Sequence, residues 1–159
     1  MTTNIQKITP FFWFDKEAGQ AAAFYTTVFP NSRILSPKRY SDTPSGTVDI
    51  YTIELSGQRF TLMNAGPYFK FNEAISFVID CKDQEEVDYY WEGLTADGGE
   101  ESMCGWLKDK FGVSWQVVPG RFNELVNDVD KDKADRVMQA MLKMKKLDIA
   151  ALEKAHKGE

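Results

Sequence analysis

Cys104-Gly-Trp-Leu-Lys-Asp-Lys-Phe-Gly-Val-Ser-Trp-Gln-Val-Val-Pro119 decides the fold of this chain. Its centre, Lys108 to Gly112, has the composition of a tight turn in which Gly112 is free to take positive φ, and its flanks have the composition of two strands. The hairpin holds two of the four tryptophans and one of the two cysteines. A pocket in this protein is therefore expected to have its floor here.

Working outward, the second strand of the hairpin repeats an earlier segment. Gly57-Gln-Arg-Phe-Thr-Leu-Met63 lies over Gly112-Val-Ser-Trp-Gln-Val-Val118, which matches Phe60 with Trp115 and Thr61 with Gln116. Side chains alternate along a strand, so with Trp115 under a helix, Ser114, Gln116 and Val118 face the side a ligand can reach. The repeat continues upstream at an offset of 65 positions, taking Phe12 to Phe77, Asp15 to Asp80, Phe24 to Tyr89 and Tyr25 to Tyr90.

Each copy reads as β-α-β-β-β. In the first, Ile8 to Phe14 is an aromatic strand. Ala18, Ala21, Ala22, Tyr25 and Phe29 form the apolar stripe of a helix from Glu17 to Pro30-Asn31, and strands follow at about 32–41, 46–55 and 58–64. Ala65 to Asn72, with Gly66-Pro67, reads as a connection. In the second copy a strand at 74–81, a helix at 83–96, a stop at Asp97-Gly98-Gly99 and strands from Glu100 repeat the order. The expected fold class is α+β, one domain spanning 1–159, with unit one at about 5–65, unit two at about 73–119 and a helical extension at about 121–157. That extension divides into helices at Asn123–Val129, Lys131–Lys146 and Asp148–His156, the last N-capped by Asp148. Val137, Ala140, Met141 and Met144 form a stripe suited to core or dimer packing.

A formal net charge of −5 leaves no broad basic face, which argues against nucleic-acid binding. No apolar run approaches the ~20 residues that cross a bilayer, and the opening Met-Thr-Thr-Asn-Ile-Gln-Lys lacks the apolar core of a leader. The expectation is a cytoplasmic protein with no membrane partner. Cys81 and Cys104 stand too far apart for a Cys-x-x-Cys pair and are read as free buried thiols. His156, the one histidine, sits in a Lys-rich helix and is read as solvated or as a helix-end residue.

The tandem units, with Ile8-Thr-Pro-Phe-Phe-Trp-Phe-Asp15 at the front and the Cys104–Pro119 hairpin at the end, resemble the vicinal oxygen chelate superfamily of glyoxalase, bleomycin-resistance and dioxygenase folds. Within it the chain resembles the PhnB-like branch, often labelled 3-demethylubiquinone-9 3-methyltransferase, over about residues 5 to 156. The resemblance implies a homodimer of paired βαβββ modules whose sheets curl around a cavity. It also implies that metal-dependent members take ligands from the first and last strands of each unit. Carried onto this chain, those positions fall near Thr9 and Ala74 and at Thr61 and Gln116, none of them an ordinary metal ligand. No metal and no cofactor is expected. The label's methyl donor would need a Gly-rich turn after a strand, whereas Gly98-Gly99 follows a helix.

Trp13, Tyr51, Thr61, Met63, Trp106 and Gln116 are the candidate ligand-binding residues, aromatic and thioether walls with a few polar groups to fix orientation. Arg39 and Arg59 are candidates to meet an anionic ligand. Cys104, with Lys108 and Lys110 nearby, Asp109 and Gln116 are the candidates for metal-free chemistry. Three functions follow: a small-molecule-binding protein without a metal, an enzyme, or a sequestering protein of the resistance type.

Overall fold

Strand β1 (Phe11–Phe14) leads into helix α1 (Ala18–Val28) and then into β2 (Arg33–Thr43), β3 (Gly46–Leu55) and β4 (Gln58–Asn64). The computed structural model describes residues 6–159; position 5, the expected start of the first unit, and the four residues before it lie outside the described residues. The expected strand from Ile8 begins only at Phe11. Pro10 lacks an N–H for the ladder and contributes only its carbonyl, which accepts from Thr61 N–H at 2.9 Å. The chain forms two compact units, one up to Lys70 and one from Phe71 to Glu159.

In the first unit the sheet order is β1-β4-β3-β2, with β1 parallel to β4. Helix α1 covers one face. It is lined by Ala18, Ala21, Ala22 and Tyr25, all fully buried, and the small alanines let it sit close to Phe12, Phe14, Ile53, Phe60 and Leu62. The rings of Phe12 and Phe60 meet edge to face at 5.6 Å between centroids. On the opposite face, cross-strand partners place Phe11 beside Thr61, Trp13 beside Met63, Thr61 beside Thr52 and Met63 beside Ile50.

The second unit repeats the order as β5 (Ser76–Cys81), α2 (Gln84–Thr95), β6 (Glu100–Glu101), β7 (Trp106–Lys108) and β8 (Ser114–Pro119), with sheet order β5-β8-β7-β6. Asp83 caps α2 by accepting from Glu86 N–H at 2.9 Å, and Glu85 and Glu86 lie at the positive end of the helix dipole. Val87, Tyr90, Trp91 and Leu94 bury against Ile79, Cys81, Leu107, Trp115 and Val117. The expected stop at Asp97-Gly98-Gly99 is a single 3-10 turn, Ala96–Gly98.

The repeat offset needs one correction. In the parallel ladders Phe12 pairs with Leu62, while Val117, the counterpart of Leu62, pairs with Ile79. The first strands therefore correspond at an offset of 67, not 65, and Phe12 is the counterpart of Ile79 rather than Phe77. The helices keep the offset of 65: Tyr25 and Tyr90 are both buried, and Phe24–Tyr25 repeats as Tyr89–Tyr90 with ring centroids 5.6 and 5.2 Å apart. The shift is an even number, so the same face stays covered by the helix.

The chain ends in α3 (Gly120–Val126), α4 (Lys131–Met141) and α5 (Ile149–Lys157). Helix α3 starts three residues before the expected Asn123, because Pro119 serves as its N-cap residue instead of a break. Helix α4 stops at Met141 rather than Lys146. The carbonyls of Met144 and Lys145 are turned to accept from Cys104 N–H and Gly105 N–H at 2.7 and 2.8 Å, which a continued helix would not allow. Asp148 caps α5 as expected, accepting from Ala151 N–H at 2.9 Å. Val118, Leu125, Val137, Leu147 and Leu152 form the core of this part, with Ala140, Met141 and Met144 packed against it. The methionine stripe is thus core packing.

Candidate functional site

Each unit has one sheet face covered by its helix and one that is not, and the candidates divide between these faces. Trp13, Thr61 and Met63 stand together on the uncovered face of the first sheet, all half-buried. Trp13 is fixed there: its Nε1–H donates to Gly66 O at 2.8 Å, and its ring meets Phe69 and Tyr68 edge-on with centroids 5.0 and 6.4 Å away. Tyr68 and Phe69 are 69% and 65% exposed, so the expected connection carries an aromatic patch that composition alone read as a loop.

Tyr51 does not join this group. It pairs with Leu62, on the helix-covered face, and its phenol lies so close to Gly19 that a Cβ there would stand 2.9 Å from the hydroxyl oxygen. Arg39 is also on that side of the sheet, across from Asp49, to which it is bound by two hydrogen bonds of 2.6 and 3.0 Å. That guanidinium, by hydrogen bonding and charge, holds the Asp49 carboxyl below the usual range. Arg59 stands on the uncovered face but is exposed, across from Glu54 at 3.9 Å.

On the second sheet, Gln116 and Trp106 are direct cross-strand neighbours, and Gln116 Nε2 donates to Ser76 Oγ at 2.8 Å. Ser114 lies directly between Ser76 on β5 and Lys108 on β7. Ser76, Ser114, Gln116, Trp106 and Lys108 thus occupy one contiguous patch on the face turned away from α2. Ser114 is 2% exposed, and its Oγ is the one buried side-chain polar atom without a hydrogen-bond partner among the described residues. Lys108 is bound to Glu73 at 3.0 Å and Glu100 at 3.3 Å; these carboxylates raise its affinity for its proton, and Lys108 in turn lowers the Glu73 pKa. Val118, expected on the ligand side with Gln116, is covered by the C-terminal helices.

The candidates for metal-free chemistry are not brought together. Asp109 is 3% exposed, and its carboxylate accepts from Phe111 N–H, Val113 N–H and Trp115 Nε1–H at 2.9, 3.1 and 2.9 Å. It builds the turn and anchors Trp115 on the helix-covered side. Cys104 is partly exposed rather than buried, at the corner of a tight turn closed by Trp106 N–H on Met103 O at 3.1 Å. Lys108 is engaged by the two glutamates and Lys110 by Asp97 at 3.6 Å, so neither ammonium is committed to the Cys104 thiol. Cys81 is buried as expected, and desolvation, reinforced by Glu86, Asp80 and Asp83, pushes its pKa up to about 12. His156 is not simply solvated: Nε2 lies 2.7 Å from Asp128 Oδ2.

A family model described as 3-demethylubiquinone-9 3-methyltransferase matches residues 6–118. The chain belongs to this family. Of the solved structures, a Bacillus cereus PhnB protein assigned by name to the same family is 34% identical over 72% of this chain and 99% of its own, with a TM-score of 0.64. A genomically encoded fosfomycin resistance protein from Listeria monocytogenes is 18% identical over 78% of this chain and 97% of its own (TM-score 0.54). A glyoxalase family protein from Bacillus cereus is 12% identical over 75% and 97% (TM-score 0.52). These two share the fold, that of the vicinal oxygen chelate superfamily. No curated protein matches the chain.

A divalent metal of the kind that superfamily uses does not fit the residues present. The ladders put Phe11 beside Thr61 and Val78 beside Gln116, in place of the expected Thr9 and Ala74. A hydroxyl, an amide and two apolar side chains do not supply the imidazole or carboxylate donors such an ion needs. Among the described residues there is no group of three His, Cys, Asp or Glu side chains that would hold one. An S-adenosylmethionine site of the α/β kind does not fit either, since Gly98-Gly99 joins a 3-10 turn to β6 and follows no strand. No helix among the described residues is long and apolar enough to cross a membrane.

Proposed function

We propose that this chain is a small-molecule-binding protein of its family that works without a catalytic metal, as a homodimer in the cytoplasm. The observation that carries this reading is the Gln116–Ser76 hydrogen bond beside Trp106. It is a preset, uncharged polar pair next to an aromatic wall, at a position that metal-using relatives give to a ligand side chain. Few convergent polar groups on an apolar background is the composition of small-molecule sites. The exposed Phe11 and Val78, 56% and 62% accessible on the edge strands β1 and β5, support association with a second copy.

An enzyme reading built on Cys104, Asp109 and Gln116 has less support, because Asp109 is consumed by three donors of its own turn and Trp115. Thermal unfolding in the presence of a library of neutral, cationic and anionic small molecules tests the binding reading. Compounds are expected to raise the midpoint of the wild type and of Tyr51→Phe, and not of Gln116→Ala. Compounds that stabilise Gln116→Ala as well as the wild type would contradict the assignment of the site.

A further inference from the structure

Ser114 Oγ is buried and unpartnered, a condition that native structures rarely tolerate and that costs stability. Alanine at this position would avoid the cost without changing the strand. The hydroxyl sits in the middle of the patch described above, with Ser76 on one side, Lys108 on the other and Gln116 two residues along the same strand. A buried hydroxyl aligned with a preset amide is what a site needs to reject molecules lacking the complementary groups.

The charges around it set the ligand class. Lys108 carries the one cation of the patch and is matched by Glu73 and Glu100, so the local balance is already negative. Asp80, on the same strand face as Ser76 and exposed, adds to it. An anion would meet carboxylates with no unmatched cation. The amide of Gln116 has given one N–H to Ser76, which leaves its oxygen as an acceptor, and the two serine hydroxyls can each donate or accept. The ion pairs holding Lys108 are solvent-screened and therefore weak, so Lys108 can swing from its place opposite Ser114 when a ligand enters.

Resting on the small-molecule reading above, we propose that Ser114, Gln116 and Ser76 form a recognition triad for an uncharged planar ligand bearing an amide-type donor and acceptor side by side, with its flat body against Trp106. Ser114 is the specificity-determining member, retained at the expense of stability.

The test titrates the ¹⁵N-labelled full chain with three compounds of one size and different charge: benzamide, benzoate and benzylammonium. Benzamide is expected to shift the Trp106 indole N–H and the Gln116 side-chain amide, and to bind at least about tenfold more tightly than either charged compound. Ser114→Ala is expected to raise the unfolding midpoint by about 2–4 °C and to weaken benzamide at least about fivefold. Benzoate or benzylammonium binding as tightly as benzamide would overturn the ligand class. An Ser114→Ala chain that melts lower, or that binds benzamide unchanged, would overturn the role of Ser114. Silence of both resonances with all three compounds would overturn the triad as a recognition site, while the thermal-unfolding screen above decides the small-molecule reading separately.

Discussion

Gln116 Nε2 lies 2.8 Å from Ser76 Oγ, and the two residues come from strands that run parallel, β8 and β5. On the proposed binding reading, the bond sets the amide in advance and limits the rotamer entropy that a ligand would cost. Gln116→Ala removes a half-buried hydrogen bond between neutral groups and is expected to cost only about 0.5–1.5 kcal/mol of stability. Urea denaturation measures that loss. A loss above about 3 kcal/mol would show that the pair is part of the structural core and not a surface held ready for a ligand.

The opposite expectation holds for Asp109. Its buried carboxylate satisfies two backbone N–H groups and the Trp115 indole, and Asp109→Ala orphans all three. A cost of about 3–5 kcal/mol follows, at roughly 1–3 kcal/mol for each buried donor left without a partner and with partial relaxation. Denaturant titration followed by tryptophan fluorescence checks this. An Asp109→Ala chain as stable as the wild type would return Asp109 to the list of residues free for chemistry.

Cys104 and Gly105 both hold positive φ, +62° and +79°, and their N–H groups donate to the Met144 and Lys145 carbonyls of the α4–α5 connection. A Cβ on Gly105 would stand 3.0 Å from Val117 O and 3.2 Å from Leu147 Cγ. Gly105→Ala is expected to cost about 2–3 kcal/mol and to increase hydrogen exchange at residues 144–149. Cys104→Gly relieves a left-handed backbone and is expected to gain about 0.5–1 kcal/mol. Equal stability for the two variants would mean that the turn does not hold the C-terminal helices.

Acid should weaken the chain in a defined window. The Asp88 carboxyl is held below the usual range by Lys146 and Gln84, and Asp128 by the Asp130 N–H and His156. The folded carboxyls hold their protons less tightly than the unfolded ones do. Their contribution is therefore complete above the unfolded value, about 4, and disappears as pH falls through the folded value. Urea midpoints between pH 6 and pH 2 should fall below about pH 4, and less steeply in Asp88→Asn and Asp128→Asn. A wild-type midpoint that drops mainly between pH 7 and pH 5 would contradict this origin. At the alkaline end, Cys81, with its pKa near 12, should resist iodoacetamide at pH 8 in the folded chain while Cys104 reacts, as mass spectrometry would show.

The fold was legible because its signals are local. Alanines and tyrosines at helical spacing and the turn composition around Gly112, whose φ is +88°, place most of the elements within a residue or two. What stayed hidden depends on partners distant in sequence. Alternation shows that Tyr51 and Ile50 face opposite ways, but only contact with Gly19 decides that Tyr51 is the one beneath α1. Ser76 carries no signal in the sequence because its importance comes from the hydrogen bond it accepts from Gln116, 40 positions away on the parallel strand β8. The two-residue slip in the repeat escaped because matching aromatics fixed the helices correctly, while the first strands take their register from β4 and β8. Alternation puts Val118 on the ligand face and cannot foresee the helices that cover it.

Isothermal titration of the chelator-treated chain with Zn²⁺, Mn²⁺ and Ni²⁺ decides whether the proposed face uses an amide and hydroxyls where metal-using relatives place ligand side chains. No stoichiometric binding of any of the three ions is expected. One ion bound per chain, with that binding lost in Gln116→Ala, would contradict it.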